Sequence, residues 1–324
     1  MNARASIAAT CVAVVAGAAG AAPRTFPVVE AASQKDVYPD RVTQFPQGVT
    51  GLADVTYSVL PGFRPLILDL YLPQGTATQP LIVFVHGGGW VGGNTRHSGA
   101  LADFPRALAQ LAAEGFVVAS VEYRLAGEAP FPAALQDLRA ALRFLKGNAA
   151  KYHIDAAKVA VWGGSAGGQL AALAATSCGD QSLDPSPAER GSECVQGAVI
   201  WYGVFDFAPV AARNGSGGPD NQFLGCSGEC DAVVRRASPI AYVTADDPPF
   251  LLIHGEGDKT VDVGQSRMME GALKKAGVDV QSMYIPAVDH SFVGRTPDET
   301  REATLAATNA TFDFFHRVLG RSAP

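Results

Sequence analysis

Short apolar segments alternate with longer amphipathic segments along most of this 324-residue chain. The apolar segments have the length of strands that are buried on both faces of a sheet, and the amphipathic segments have the spacing of helices that cover one. This alternation predicts an α/β fold, with a mostly parallel sheet of eight strands and helices on both faces. The predicted strands are 55–60, 66–72, 81–86, 116–122, 159–162, 198–202, 250–254 and 280–284.

Helices are predicted between these strands from the period of the apolar residues. In the clearest helix, one face carries the leucines expected in the core, which are Leu135, Leu138, Leu142 and Leu145. The predicted helices are 99–113, 133–152, 263–275 and 299–318, and a further helix follows Ser165.

One stretch, residues 203–249, breaks the alternation because glycine, proline and aspartate accumulate there in place of a strand and a helix. Long loops within a compact domain usually serve as lids or binding walls. We therefore predict that 203–249 is a lid or a pocket wall above the sheet. A passive surface insertion is the alternative.

Composition and charge exclude several classes of protein. With 48% hydrophobic and 17% charged residues, the chain can bury a large core, so extended disorder is not expected. The formal net charge is -6, and no basic stretch is present that would attract phosphates or an anionic membrane. We expect neither a nucleic-acid partner nor insertion into a membrane.

The first residues have the pattern of a signal peptide. Arg4 precedes an uncharged, alanine-rich run over 5–22, and 19–21 has the small-x-small pattern of a cleavage site. We therefore predict a signal peptide over 1–21, a single domain over 22–324 and a secreted or periplasmic location. An uncleaved anchor helix is the alternative, although the run falls short of the roughly 20 strongly apolar residues that span a bilayer comfortably.

The cysteine count agrees with export. Cys11 lies in the predicted signal peptide, which leaves the even set Cys178, Cys194, Cys226 and Cys230. In an oxidising compartment such a set predicts two disulfides. Proximity along the chain favours Cys178 with Cys194 and Cys226 with Cys230, although four cysteines allow three pairings. A zinc site is the alternative, and it is disfavoured because no histidine lies near Cys226 and Cys230 at ligand spacing.

The motif G-x-S-x-G occurs at 163–167, directly after the predicted strand 159–162 and before an alanine- and leucine-rich helix. A nucleophilic serine requires this strand-turn-helix context, because the tight turn projects its hydroxyl from the edge of the sheet. The N-terminus of the following helix also favours negative charge that develops nearby. Ser165 is therefore the predicted nucleophile, and a glycine-rich structural turn is the alternative.

A second glycine-rich motif, H-G-G-G-W at 86–90, ends the predicted strand 81–86. Without side chains its backbone N–H groups are exposed, as the stabilisation of an oxyanion in acyl transfer requires. We predict an oxyanion hole formed by the N–H groups of Gly88, Gly89 and Ala166. A phosphate-binding loop is the competing interpretation, but the G-K-[ST] or G-x-G-x-x-G pattern that it requires is missing.

These motifs resemble those of the α/β-hydrolase esterases of the hormone-sensitive-lipase-like group, which carry the H-G-G-G signature. The resemblance covers most of the chain after residue 21, and it implies the α/β-hydrolase fold and a carboxylic ester hydrolase. More narrowly, the chain is similar to bacterial acetyl and feruloyl esterases that act on plant polysaccharide. The segments that carry this similarity are His86–Gly93, Gly163–Gly168, Ser238–Ile240 and Asp247–Gly255.

The resemblance also implies the other two members of a catalytic triad. The family's acid follows the seventh strand, and Asp258 stands there in a D-x-x-V pattern after the predicted strand 250–254, with Glu256 and Asp262 as fallback candidates. The base follows the last strand, where His290 lies in the sequence D-H-S-F. The chain order of serine, acid and histidine is the one that this fold uses. We expect no cofactor and no metal, because the protein itself carries the hydrolytic nucleophile.

Four further residues lie within or beside these motifs. The family often carries an acidic residue directly before the nucleophile, whereas this chain has Gly164. Trp90 either lines the acyl pocket or packs the glycine-rich loop. His86 is expected to brace that loop, and His254 is expected to be a structural residue at the end of a strand.

Three functions are consistent with the sequence. The first is an esterase that removes acetyl or feruloyl groups from plant cell-wall polysaccharide, its partner being a small-molecule or polysaccharide-linked ester. The second is a general short-chain carboxylesterase or an arylformamidase-like hydrolase, which shares an H-G-G-x-W pattern but has little reason to be exported. The third is a non-catalytic binding protein on the same fold, and the complete set of triad residues argues against it.

Overall fold

The computed structural model describes residues 41–184, 191–210, 218–227 and 230–320, so the predicted signal peptide over 1–21 lies outside the described residues. The strands are β1 Arg41–Gln44, β2 Thr50–Ser58, β3 Leu66–Leu72, β4 Gln79–Val85, β5 Val117–Val121, β6 Ile154–Gly164, β7 Gly197–Trp201, β8 Phe250–Gly255 and β9 Val280–Ile285. They form one sheet in the order β1-β2-β3-β5-β4-β6-β7-β8-β9. The first three strands and the β3–β5 pair are antiparallel, and every pairing from β5 to β9 is parallel.

The sheet is the mostly parallel one predicted, but it has nine strands rather than eight. The additional strand is β1, which pairs antiparallel with β2 through the register Arg41 to Ala53. Its four residues, RVTQ, are all exposed and carry no apolar alternation. A strand whose position depends on its neighbour's hydrogen bonds leaves no periodic signal in the sequence.

Eight helices lie between and after the strands in the described residues. They are α1 Phe104–Ala113, α2 Ala133–Gly147, α3 Ala149–Tyr152, α4 Ala166–Thr176, α5 Pro219–Leu224, α6 Asp231–Ala237, α7 Gly264–Ala276 and α8 Pro297–Leu319. In the described ranges, no helix is both long enough and apolar enough to cross a membrane.

Two helices differ from their predicted bounds by more than two residues, and they do so for local reasons. The helix predicted from residue 99 begins at Phe104, because the side chain of Asp103 accepts a hydrogen bond from the Arg106 N–H at 3.1 Å and caps it there. The helix predicted as continuous over 133–152 is divided at Asn148. The side chain of Asn148 donates to the carbonyl of Phe144 at 2.8 Å, in competition with the helix backbone.

The core lies on both faces of the sheet, as the apolar strands require. In β4, Leu81 and Val83 point to the face covered by α2, α4 and α7, whereas Ile82 and Phe84 point to the face covered by α1 and α8. All of these side chains are fully buried. The predicted core leucines of α2 are also buried, namely Leu135, Leu138, Leu142 and Leu145.

Both disulfides are formed, and they join the cysteines that lie closest along the chain. Cys178 pairs with Cys194, and Cys226 pairs with Cys230. The second bridge lies within the predicted insertion 203–249, and it uses both thiols that a zinc site at this position would have required. The described parts of that insertion contain α5, α6 and a 3-10 turn at Pro239–Tyr242, and no strand.

Candidate active site

Ser165 occupies the sharp turn that joins β6 to α4. Its backbone has φ 56° and ψ -122°, a region that residues other than glycine rarely occupy and that is strained. The surrounding backbones pass very close, since a Cβ on Gly167 would lie 2.1 Å from the carbonyl oxygen of Val85. The N–H of Ser165 also donates to the carbonyl of Trp201 at 2.9 Å. These contacts fix the strained turn and hold the serine in one orientation.

Ser165, His290 and Asp258 come from three separate turns and form a continuous chain of hydrogen bonds. Nε2 of His290 lies 3.0 Å from Oγ of Ser165, and Nδ1 lies 2.7 Å from Oδ2 of Asp258. Because a carboxylate only accepts, Nδ1 carries the hydrogen and Nε2 is left to accept from the serine hydroxyl. This is the arrangement in which a histidine can remove the proton from a serine.

The carboxyl group of Asp258 is fully buried and held on both oxygens. Oδ1 accepts from the N–H groups of Thr260 and Val261 at 2.9 and 2.8 Å. Burial by itself raises the pKa of Asp258, but hydrogen bonds from His254 and His290 outweigh it and hold the pKa well below its usual range. The group is therefore ionised at neutral pH and can stabilise a protonated imidazole.

The two fallback acids make other contacts. Glu256 pairs with Arg267 at 2.7 Å on the surface. Oδ1 of Asp262 accepts from the N–H of Gly264 at 2.7 Å, which is a local turn contact. Within the described part of the chain neither carboxylate contacts His290, so the geometry selects Asp258 as the partner of this imidazole.

The glycine-rich loop 86–90 lies directly against the turn that carries Ser165. A Cβ on Gly87 would lie 2.8 Å from the carbonyl oxygen of Gly164. Gly88 has φ +115°, which requires glycine. Among the backbone hydrogen bonds of the described residues, none has the N–H of Gly88, Gly89 or Ala166 as its donor. These three groups are available to stabilise an oxyanion.

His86 stabilises this loop through a hydrogen bond to its backbone. Its Nδ1–H donates to the carbonyl of Gly87 at 2.8 Å, and its ring stacks on Tyr123 with 4.3 Å between centroids. The hydroxyl of Tyr123 in turn donates to the His86 carbonyl at 3.0 Å. Burial lowers the pKa of His86 to about 4, so the imidazole is neutral at neutral pH.

A cavity of about 610 Å³ opens in front of Ser165. The glycine-rich loop lines it with Gly89 and Trp90. The stretch 203–249 supplies a mostly apolar wall made of Val204, Pro209, Val210, Pro219 and Asp220. The turn after β8 and the start of α7 supply a more polar rim made of Lys259, Thr260, Val261, Asp262 and Gln265.

Trp90 lies at the cavity and also packs against other side chains. It lines the cavity, and its ring also stacks on Phe223 of α5 with 4.6 Å between centroids. Its Nε1–H donates to Oε1 of Gln169 at 3.0 Å, and Nε2 of the same amide donates to the carbonyl of Ala237 at 2.8 Å. Trp90 therefore joins the glycine-rich loop to the insertion and to α4.

Tyr202 is a site residue that the sequence analysis missed. Its buried ring packs against the imidazole of His290, with 4.7 Å between centroids. A Cβ on Gly164 would lie 3.1 Å from Cε2 of Tyr202, so this ring fills the space beside the residue that precedes the nucleophile. In the sequence Tyr202 only ends a predicted strand, and the glycine at 164 is the one indication that another side chain fills this position.

A serine, a histidine and an aspartate hydrogen-bonded at the carboxyl edge of this sheet, beside a glycine-rich loop, define the α/β-hydrolase class of proteins. The profile of the BD-FAE family matches residues 68–273. The chain belongs to the BD-FAE family of α/β-hydrolase esterases.

Individual relatives agree with this family. Esterase LipQ of Mycobacterium tuberculosis is 32% identical over 276 residues, which cover 83% of this chain and 63% of LipQ. The ethyl acetate hydrolase of Pseudomonas putida is 32% identical, with 71% of each chain covered. The chain thus spans less than two thirds of the length of LipQ and more than two thirds of the length of the ethyl acetate hydrolase.

A solved structure with a similar fold is that of the acetyl ester-xyloside bifunctional hydrolase from Caldicellulosiruptor lactoaceticus. It superposes with a TM-score of 0.70 at 25% sequence identity and covers 83% of this chain and 97% of its own.

Proposed function

We propose that this chain is a serine carboxylic ester hydrolase in which Ser165 is the nucleophile, His290 the general base and Asp258 the acid of the triad. The observation that carries the proposal is the unbroken hydrogen-bonded chain of these three side chains, which ends at the wall of a cavity. Membership of an esterase family supports it. A non-catalytic binding protein would have no need to keep Ser165 in a strained backbone conformation.

The reaction follows from this geometry. His290 removes the hydroxyl proton of Ser165 as Oγ attacks the ester carbonyl carbon, and the carbonyl oxygen becomes an oxyanion beside the N–H groups of Gly88, Gly89 and Ala166. The intermediate collapses, the protonated imidazole gives its proton to the leaving alcohol, and an acyl-enzyme remains. Water then repeats the cycle, releases the acid and restores the serine. The protein groups suffice for each step.

We propose acetyl or feruloyl esters of plant cell-wall polysaccharide as the substrates. The cavity has an apolar wall beside Ser165 for an acyl group and a polar rim for a hydroxylated alcohol. The similar structure is named for activity on an acetyl ester and a xyloside, which agrees with this substrate class. Two disulfides are consistent with a secreted or periplasmic enzyme, and polysaccharide is found outside the cell.

A general short-chain carboxylesterase is the second candidate. The observation that favours it is the similarity to an ethyl acetate hydrolase, which covers an equal share of both chains. The residues that line the cavity do not separate the two candidates, because the apolar wall would accept a short alkanoyl group equally well.

The test compares kcat/KM on 4-nitrophenyl acetate, 4-nitrophenyl octanoate, methyl ferulate and acetylated xylan. Turnover of any ester should fall by several orders of magnitude in Ser165→Ala, whereas Ser182→Ala, at an exposed serine, should leave it unchanged. Preference for ferulate or acetylated xylan supports the cell-wall assignment, and preference for octanoate contradicts it. Activity that survives Ser165→Ala would refute the assigned nucleophile.

A further inference from the structure

His254 is a fully buried histidine that the proposed reaction does not use. It lies in β8, four residues before Asp258, and none of its side chain is exposed. Its Nε2 lies 3.0 Å from the carbonyl oxygen of Val261 and 3.2 Å from Oδ2 of Asp258. Its Nδ1 lies 2.7 Å from Oγ of Ser266 in α7.

These contacts determine where the hydrogen on the neutral ring lies. A backbone carbonyl only accepts, so Nε2 must carry a hydrogen in order to bond to Val261. That N–H is shared between the carbonyl and the carboxylate of Asp258. In the neutral ring, Nδ1 is then an acceptor, and the hydroxyl of Ser266 donates to it. The carbonyl of Val261 and the carboxylate of Asp258 therefore select the tautomer in which His254 donates to the acid, and the hydroxyl of Ser266 is compatible with it.

We propose that His254 is a positioning residue that holds Asp258 in the orientation needed by His290, an inference that rests on the proposed function. Both histidines donate to the same oxygen, Oδ2, while Oδ1 accepts from the backbone N–H groups of Thr260 and Val261. With four donors on one carboxylate, rotation of the group would break several hydrogen bonds at once. The chain of contacts runs from Ser266 through His254, Asp258 and His290 to the nucleophile.

The other ionisable groups near Asp258 make their contacts with other residues. Tyr202 packs on the imidazole of His290. Lys259 and Asp289 pair with each other on the exposed rim at 3.4 Å. In the described part of the chain, His254 is the only one of these neighbours, apart from His290, that has a hydrogen bond to the carboxylate of Asp258. A change in the pH profile on replacing it would therefore report on that bond.

The test replaces His254 with leucine, which cannot donate, and with glutamine, whose side-chain amide can present a donor. His254→Leu should lower kcat by about tenfold or more, because a small misplacement of a catalytic group is costly. The acid limb of the kcat/KM profile should also move, because the carboxylate that contacts His290 has lost one of its hydrogen-bond donors. His254→Gln should remain within about threefold of the wild type.

Two variants separate positioning from general packing. His316 is a second buried histidine bonded to a carboxylate, that of Glu114 at 2.8 Å, and it lies between α8 and the end of α1. His316→Leu should lower the melting temperature but leave kcat and the pH profile unchanged. Ser266→Ala, which removes only the donor to Nδ1, should move both quantities in the direction of His254→Leu by a smaller amount. If His254→Leu does not fold, the kcat and the pH profile of Ser266→Ala and His254→Gln test the positioning role of His254 instead.

Proton NMR provides a readout that does not depend on turnover. The Nδ1–H resonance of His290 should be present in the wild type and in His254→Gln, and it should be shifted or broadened in His254→Leu. A folded His254→Leu with the wild-type kcat, pH profile and resonance would overturn the proposal. A wild type that hydrolyses no ester would instead refute the proposed function, while the NMR comparison would still test the role of His254.

Discussion

The residue directly before Ser165 is Gly164, which has no side chain. The ring of Tyr202 fills the adjacent space and packs against His290. The glycine is therefore matched to the tyrosine. Both residues act on the orientation of the catalytic groups, Gly164 by admitting the ring and Tyr202 by supporting the imidazole.

Gly164→Ala should accordingly impair both stability and turnover. The new Cβ would lie 3.1 Å from the Tyr202 ring, so either the ring or the nucleophile turn must move. Overpacking of this kind costs about 1–3 kcal/mol, and we expect kcat to fall by about tenfold. Gly147→Ala is the matched control, since nothing lies within 4 Å of the new methyl group in α2. Urea unfolding and kcat measure the two effects, and equal behaviour of the two variants would disprove the match between Gly164 and Tyr202.

His86 should make the stability of the protein sensitive to acid. Its folded pKa is about 4, below the ordinary value of 6.5, so between these values the unfolded chain binds a proton that the folded chain does not. The contribution of the neutral His86 to the free energy of unfolding is fully present above pH 6.5. It is lost as the pH falls towards 4, by about 1.4 kcal/mol per pH unit, so that about 2 kcal/mol is lost at pH 5.

Guanidinium unfolding at pH 7 and pH 5 tests this. His86→Asn keeps a donor near the position of Nδ1 but has no group that titrates in this range, so it should lose about 2 kcal/mol less than the wild type on acidification. His97→Asn, at an exposed histidine, should behave like the wild type. The same pH dependence in His86→Asn and the wild type would contradict the proposed neutral brace.

At the scale of elements, α5 connects the insertion to the site. Its Phe223 is 1% exposed and contacts the rings of Trp90 and Phe207, with centroids 4.6 and 5.9 Å away. Because Trp90 belongs to the glycine-rich loop and lines the cavity, α5 contributes to the shape of the pocket as well as to the core. The wall of the cavity and the position of the glycine-rich loop are therefore linked.

Removal of this aromatic anchor should loosen the pocket. Phe223→Ala should lower the free energy of unfolding by about 3 kcal/mol or more, the usual effect of truncating a buried phenylalanine. It should also raise the ratio of octanoate to acetate turnover, because the cavity gains volume beside Trp90. Leu305→Ala, at a residue 48% exposed on α8, should change neither quantity. If Phe223→Ala is destabilised but keeps the wild-type ratio of octanoate to acetate turnover, α5 does not contribute to the choice of acyl group.

The elements with strong apolar periods could be predicted from the sequence, and the others could not. Buried strands such as β4 and β8 can be predicted within one or two residues, because each contains an unbroken run of at least four apolar residues. The exposed β1 left no such signal, and the short helices of 203–249 were missed because their stability depends on packing over the site. Ser165 could be predicted from the strand-turn-helix context of its motif and His290 from the resemblance to a known family, whereas Tyr202 reaches the site only through the tertiary fold.

At the scale of the whole molecule, the sheet brings distant residues together. Ser165 follows β6, Asp258 follows β8 and His290 follows β9, and these strands are parallel members of one sheet with only β7 intervening. Parallel strands present their carboxyl ends at one edge, so turns separated by up to 125 residues meet there. The core on both faces holds this edge rigid.

The two disulfides should contribute unequally to the stability of the whole domain. Their sequence separations are 16 and 4 residues, and the loop-entropy relation gives about 3 kcal/mol for the Cys178–Cys194 bridge and about 2 kcal/mol for the Cys226–Cys230 bridge. Paired replacement of each bridge by serine, followed by guanidinium unfolding, measures both. A larger loss from the shorter loop would show that the second bridge acts through the folded insertion instead.

The proposed function requires that Ser165 is the nucleophile and that His290 activates it. The most direct test treats the protein with a fluorophosphonate, in which Oγ forms a bond to phosphorus and fluoride leaves, and measures the intact mass and the modified peptide. We expect one adduct, located on Ser165, that is absent in Ser165→Ala and forms at least about a hundredfold more slowly in His290→Gln. Modification at another residue, or an equal rate in His290→Gln, would contradict it.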